Sequence, residues 1–161
     1  MVGEIEEVLS ALNRAGVRYL VVGGVAVVLH GHLRTTADLD LVIQLQRDNA
    51  LRAMRALGDL QYRPRAPVPA EAFADREVRE GWIREKGLLE VDIFVSEPFD
   101  FDAVYSRALR VLLAKSEVTI IALEDLLALK RQVGRPRDQE DIAALESLRD
   151  AEGETKGVGD G

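Results

Sequence analysis

Apolar residues along the chain recur at two different spacings, which predict a helix followed by a buried strand. Between Ile5 and Leu12 they fall at positions i, i+3, i+4 and i+7, the spacing of one helical face, and this predicts a first helix over residues 3–15. The β-branched and aromatic run at 17–22 then predicts a short buried strand. Gly23-Gly24 ends this strand, and the apolar stretch after it predicts a second, shorter helix.

Two later strands combine apolar residues with carboxylates. In the predicted strand 38–45, leucine and isoleucine alternate with other residues, so Asp38 and Asp40 share one face. The predicted strand 88–95 places Asp92 on the face opposite its apolar neighbours. The other predicted helices cover residues 48–58, 100–107, 123–132 and 136–149, and the other predicted strands cover 60–63, 77–84 and, as a pair, 109–121.

Length and composition favour one folded domain. The chain has 161 residues, of which 47% are hydrophobic and 30% charged, as is typical of a globular domain with its own core. We place this domain at residues 1–150. Residues 151–161 are rich in glycine and charge, which predicts a disordered tail.

Charge and cysteine content exclude several classes of site and partner. With 21 Lys plus Arg against 28 Asp plus Glu, the net charge of −7 argues against an extensive nucleic-acid surface. The chain has no cysteine, which excludes disulfides, thiolate metal sites and cysteine nucleophiles and makes a cytoplasmic location the expectation. The apolar run at 19–29 is too short for a membrane span, and the N-terminus lacks the basic start of an export signal.

The aspartate pair on the predicted strand 38–45 is the first candidate for chemistry. Side chains at i and i+2 of a strand lie about 7 Å apart on one face, so Asp38 and Asp40 can turn their oxygens toward one point. Carboxylate oxygens suit Mg²⁺ or Mn²⁺, and the alternative is an ordinary solvated strand face. Gly23-Gly24 likewise predicts either an anion-binding turn before a helix or simply a tight turn.

Motifs in three parts of the chain resemble one known superfamily. Gly23-Gly24, thirteen further residues, Asp38-Leu39-Asp40-Leu41 and, later, Val91-Asp92-Ile93 are similar to the signature of the DNA polymerase β-like nucleotidyltransferases. Residues 23–40 resemble more closely the small bacterial group that includes the AbiEii-type toxins of type IV toxin–antitoxin systems. Residues 130–141 are similar to the Lys, Gly-Arg turn and basic-Asp-x-x-Asp pattern of related enzymes.

This resemblance implies an α+β nucleotidyltransferase fold with a metal-dependent active site. The implied fold is a mixed, mainly antiparallel sheet flanked by helices, with a C-terminal helical pair. Asp38, Asp40 and Asp92 are implied to bind Mg²⁺ or Mn²⁺, two ions in all, and Asp92 to help deprotonate the acceptor. Glu90 lies two residues before Asp92 on the same face, and we prefer Asp92 because apolar residues flank it on both sides.

The same resemblance implies which residues bind the nucleotide. Gly23 and Gly24 are implied to hold its phosphates through backbone N–H groups, and Lys130 to contact the triphosphate. Asp138 and Asp141 lie three apart on one helical face, where a supporting role in the site and a structural salt bridge are equal alternatives. The other predicted nucleotide-binding residues, for which a sheet-edge or helix-end role is the alternative, are Arg34, Thr36 and Arg137.

The predicted reaction is metal-dependent transfer of a nucleoside monophosphate from an NTP to an acceptor hydroxyl on an RNA end, a protein or a small molecule. If the chain is the toxin of a toxin–antitoxin pair, an antitoxin protein is the implied partner. The alternative is a catalytically silent nucleotide-binding or regulatory domain of the same fold. The presence of all three aspartates argues against that alternative, since a silent site is free to lose them.

Overall fold

Helices and strands alternate along the chain in the computed structural model, which describes residues 2–65 and 79–158. The helices are α1 (Val2–Arg14), α2 (Gly23–Leu29), α3 (Arg47–Asp59), α4 (Phe101–Ser106), α5 (Leu123–Val133) and α6 (Asp138–Val158). The strands are β1 (Tyr19–Val22), β2 (Asp38–Ile43), β3 (Arg63–Pro64), β4 (Arg79–Ile83), β5 (Glu90–Phe94), β6 (Leu109–Leu113) and β7 (Ser116–Ile120). Each element predicted from the hydrophobic spacing has a counterpart in this order.

The strands of the described ranges form one mixed sheet in the order β3-β4-β5-β2-β1-β7-β6. Strand β1 is antiparallel to β2 and parallel to β7, and β2 is parallel to β5. The pairs β3–β4, β4–β5 and β6–β7 are antiparallel. The predicted α+β fold with a mainly antiparallel mixed sheet and a C-terminal helical pair is therefore confirmed.

The core lies on both faces of the central strands. All four residues of β1 are buried, so helices or loops cover both sides of that strand. The apolar face of α1, which the sequence predicts from Ile5 to Leu12, is buried as well, and α1 contacts α3 and β7. None of the helices in the described ranges is both long enough and apolar enough to cross a membrane.

The C-terminal helix is longer than its sequence predicts. The sequence predicts a helix end at residue 149 and disorder from 151 onward, whereas α6 continues to Val158. Alanine, glutamate and lysine in this stretch are good helix formers, and a glycine such as Gly153 within a helix costs only about 1 kcal/mol. Residues 159–161 lie outside the described residues, and the domain boundary at residue 150 remains a prediction.

Several observed strands begin or end one to three residues from their predicted limits, and β3 shows the largest shift. The strand predicted at 60–63 is shifted, because Gln61 adopts a positive φ of 68° in the turn after α3 and β3 begins only at Arg63. The strand predicted at 77–84 is observed as β4, and its first two predicted residues lie outside the described ranges.

Candidate active site

A cleft of about 400 Å³ opens where β1 ends and β2 begins, with the α5–α6 connection forming its other wall. The antiparallel register of β1 and β2 places Val22 opposite Asp40, so the glycine turn after β1 adjoins the aspartates of β2. Every site residue predicted from the sequence lines this cleft: Gly23, Gly24, Arg34, Thr36, Asp38, Asp40, Asp92, Lys130, Arg137, Asp138 and Asp141.

The parallel register of β2 and β5 assembles a carboxylate cluster on one face of the sheet. Asp38 lies opposite Glu90, and Asp40 lies opposite Asp92. One oxygen from each of Asp38, Glu90 and Asp92 lies within 4.8 Å of the other two, and all three residues are partly buried. This all-oxygen set fits a hard divalent cation such as Mg²⁺ or Mn²⁺. The sequence favours Asp92 over Glu90, whereas the structure places both of them in the cluster.

Asp40 has a different partner from the other carboxylates. It is 8% exposed, and its Oδ1 lies 3.0 Å from Nη1 of Arg79. The Arg79 guanidinium also lies over the Phe94 ring, 4.5 Å from the ring centroid. Burial raises the pKa of Asp40, and the charge of Arg79 opposes that rise. Arg79 cannot be recognised as a site residue from the sequence, because its position beside Asp40 depends on the registers that pair β4 with β5 and β5 with β2.

Among these carboxylates, burial and then the neighbouring negative charges perturb the pKa of Asp92 most. Burial, followed by the negative charges of Asp40, Glu90 and Asp38, raises the pKa of Asp92 to about 7. Like charges held close together disfavour the ionised form, and a bound cation would relieve this repulsion. The perturbation is typical of a functional site rather than of a solvated strand face.

The glycine turn allows the backbone to approach Asp40 closely. Gly23 has a positive φ of 64°, which glycine adopts far more easily than other residues. A Cβ at this position would overlap the Asp40 carboxylate, with the Asp40 Cγ only 2.8 Å away. A Cβ on Gly24 would lie 2.8 Å from the Thr36 hydroxyl oxygen. A side chain at either position would therefore force neighbouring groups to shift, whatever role the glycines have toward phosphate.

The opposite wall of the cleft is held by a buried network of charges. Lys130, 5% exposed, donates to Asp138 Oδ1 at 3.3 Å and to Asp141 Oδ2 at 3.0 Å. Arg135 pairs with the second oxygen of Asp138 at 3.1 Å. Arg34 contacts both oxygens of Asp141, at 3.1 Å each. The structural salt bridges considered for Asp138 and Asp141 are thus present, and they join α5 and α6 to the loop before β2.

Removing the charge of Lys130 is expected to destabilise the fold. Lys130→Met removes the cation that two buried carboxylates share, but each carboxylate keeps one arginine, so we expect a cost of about 1–3 kcal/mol, below that of a fully unpaired buried charge. Lys115→Met is the matched control, because Lys115 is exposed and such changes stay within about 0.5 kcal/mol. Urea unfolding of both variants measures the difference. Equal midpoints would show that the buried network contributes nothing to stability.

The family model described as "Nucleotidyltransferase of unknown function (DUF6036)" matches residues 1–151. The chain belongs to this family. No curated protein matches this nucleotidyltransferase by sequence. The match confirms the superfamily that the motifs predict, but it does not extend to the AbiEii-type group.

Solved structures of similar fold cover nearly the whole nucleotidyltransferase chain. The lincomycin-bound lincosamide antibiotic adenylyltransferase LnuA has a TM-score of 0.65 and 19% identity, over 91% of this chain and 96% of that one. The antibiotic-resistance factor ANT(2'')-Ia has a TM-score of 0.60 and 16% identity, over 98% and 93%. An antigenic nucleotidyltransferase-like protein from Paracoccidioides brasiliensis has a TM-score of 0.58 and 18% identity, over 91% and 74%. At these identities the likeness establishes the fold alone.

Proposed function

We propose that this nucleotidyltransferase moves a nucleoside monophosphate from an NTP to an acceptor hydroxyl, with release of pyrophosphate. The observation that supports this reaction best is the composition of the cleft at the ends of β1 and β2. Carboxylates of β2 and β5 lie on one side of it, and the glycine turn with several cations lies around them. Phosphoryl transfer depends mainly on positioning and on stabilisation of charge, which such an arrangement supplies.

The partly buried carboxylates have the chemistry of a divalent metal site. Asp38, Glu90 and Asp92 would hold Mg²⁺ or Mn²⁺, since each offers an oxygen within 4.8 Å of the others. A metal bound there supplies positive charge to the phosphoryl oxygens during transfer. The acceptor oxygen bonds to the α-phosphorus, the bond from that phosphorus to the leaving pyrophosphate breaks, and the hydroxyl proton passes to the Asp92 carboxylate.

Cations and backbone groups around the cleft bind the nucleotide in this proposal. Gly23 and Gly24 present backbone N–H groups to the phosphates, as the family resemblance implies. Arg137 lines the cleft and has no ion-pair partner in the described part of the chain, so its charge is free for a phosphate. Lys130 instead acts as a positioning residue, because its ammonium is held between two aspartates. Arg34, Thr36 and their loop complete the pocket.

A small-molecule hydroxyl is the acceptor that we favour over an RNA end or a protein. Structural neighbours of this chain include an adenylyltransferase with lincomycin bound and ANT(2'')-Ia with adenylyl-2''-tobramycin. The net charge of −7 also disfavours a large RNA contact. A toxin role, an antitoxin partner and a cytoplasmic location remain predictions from the sequence, the first two of them from residues 23–40 alone.

Label transfer tests the proposed function directly. The purified chain is incubated with each α-labelled NTP, Mg²⁺ and a cell extract, which is then separated into small molecules, RNA and protein. We expect one NTP to label the small-molecule fraction, with release of an equal amount of pyrophosphate. The control is Asp38→Asn, which removes one carboxylate charge from the cluster and should abolish labelling.

The same experiment decides between the alternatives. Label in RNA or in protein would support the transferase activity but would show that the acceptor is not a small molecule. Failure to transfer label from any NTP, with or without Mn²⁺ in place of Mg²⁺, would favour the catalytically silent domain.

A further inference from the structure

The four carboxylates of β2 and β5 divide into two groups. Asp38, Glu90 and Asp92 present oxygens to a common point, whereas Asp40 is absent from that set. Asp40 is the most buried of the four. Its partner Arg79, at 3.0 Å, is itself largely buried, whereas the Arg65 side chain that lies 3.0 Å from Glu90 Oε1 is 62% exposed. A pair of metal ions would need Asp40 as a ligand, as the sequence analysis expected, but a guanidinium already occupies its Oδ1.

Arg79 is fixed in place by contacts on two sides. Its side chain is 19% exposed, and the Asp40 side chain is 12% exposed, so the ion pair is largely shielded from solvent. The β4–β5 register sets Arg79 directly opposite Phe94, and this explains why its guanidinium lies over the Phe94 ring. A cation stacked on an aromatic ring and paired with a buried carboxylate gains from both contacts, which favours a permanent position over a transient one.

We propose that Arg79 takes the place of a second divalent cation at Asp40, so that the protein's carboxylates hold one metal ion, at Asp38, Glu90 and Asp92. Arg79 is then a positioning residue that neutralises Asp40 and keeps it beside the glycine turn. This inference rests on the metal site of the proposed function. It goes beyond that function because it sets the number of bound metal ions at one and assigns the positive charge beside Asp40 to Arg79.

Manganese binding to the intact chain tests the inference without nucleotide or turnover. Titration with MnCl₂, followed by the electron paramagnetic resonance signal of free Mn²⁺ and by calorimetry, should give one ion per wild-type chain. Arg79→Met removes the cation but keeps an apolar side chain against the ring, and it should raise the number of bound ions from one to two. Arg79→Lys retains a positive charge and should bind one. In the double variant Arg79→Met with Asp40→Asn the number should return to one.

Two results would overturn the inference. One is a wild-type chain that binds two ions, and the other is a folded Arg79→Met variant that still binds one ion with unchanged affinity. If Arg79→Met does not fold, the wild type is compared with Asp40→Asn instead. One bound ion in both proteins supports the inference, whereas two ions in the wild type and one in Asp40→Asn overturn it.

Failure of the inference is distinguishable from failure of the proposed function. Two bound ions together with active nucleotidyl transfer would refute only the role of Arg79. One bound ion without transfer of label from any NTP would refute the proposed activity and leave the metal count standing.

Discussion

Asp92→Asn is expected to abolish nucleotidyl transfer and, in the same protein, to raise the melting temperature in metal-free buffer. Loss of a carboxylate that accepts a proton and binds the metal typically costs roughly 10²–10⁴-fold in rate. The gain in stability has a separate cause. In the folded chain, burial and the neighbouring carboxylates raise the pKa of Asp92 to about 7. The ionised form is therefore unfavourable in the native state, and a neutral amide removes that cost.

The pH dependence of this gain follows from the direction of the pKa shift. Folding raises the pKa of the Asp92 carboxyl from near 4 in the unfolded chain to about 7. Its contribution to stability is therefore fully present at a pH below about 4 and is lost as the pH rises through about 7. With allowance for solvent screening of this partly exposed group, we expect Asp92→Asn to gain about 1–2 kcal/mol at pH near 8 in EDTA. This corresponds to roughly 2–8 °C in melting temperature for a chain of this size. Near pH 4 the gain should vanish.

Thermal melts of the wild type and two variants measure this prediction. Asp59→Asn is the control, because Asp59 is exposed and lies outside the cleft, and it should change neither the transfer rate nor the pH profile of stability. Adding Mg²⁺ should stabilise the wild type more than Asp92→Asn, since the variant has lost one ligand. A metal-free Asp92→Asn variant that melts with the wild type at every pH would refute the electrostatic interpretation.

Local patterns in the sequence predict much of the fold and the location of the site. The alternation that places Asp38 and Asp40 on one face depends only on the two-residue period of a strand, and the structure keeps both residues in β2. The turn at Gly23-Gly24 depends on equally local chemistry. Elements whose limits are set by apolar spacing, such as α1 and α5, begin and end within a residue or two of the predicted positions.

Contacts between distant strands were beyond sequence reasoning. Glu90 joins Asp38 because β2 and β5 are parallel in one specific register, and no pattern within either strand fixes that register. Arg79 reaches Asp40 across β5, 39 residues away along the chain. The family resemblance implies that Lys130 contacts the triphosphate, whereas its burial between two aspartates depends on how α6 packs on α5. Local sequence patterns identify most of the site residues, but the contacts between those residues depend on the tertiary structure.

The glycine turn links the fold to the carboxylate cluster, and Gly23→Ala is expected to disturb both. Alanine at a positive φ costs about 1 kcal/mol, and the new methyl group would also overlap the Asp40 carboxylate. Displacing Asp40 adds the cost of overpacking, about 1–3 kcal/mol. The sum of about 2–4 kcal/mol corresponds to a fall of roughly 4–16 °C in melting temperature. Because the displaced carboxylate is the one paired with Arg79, nucleotidyl transfer should fall as well.

Gly58→Ala provides a control with the same change in chemistry and the opposite expected sign. Gly58 lies within α3, and no heavy atom lies within 4 Å of the place where its Cβ would stand. Alanine in a helix is favoured over glycine by about 0.5–1 kcal/mol, so this variant should melt slightly above the wild type and transfer nucleotide at the same rate. Circular dichroism melts and initial transfer rates below the melting transition measure both variants. If Gly23→Ala matches Gly58→Ala in stability and rate, the close approach of the turn to Asp40 has no role in holding the site together.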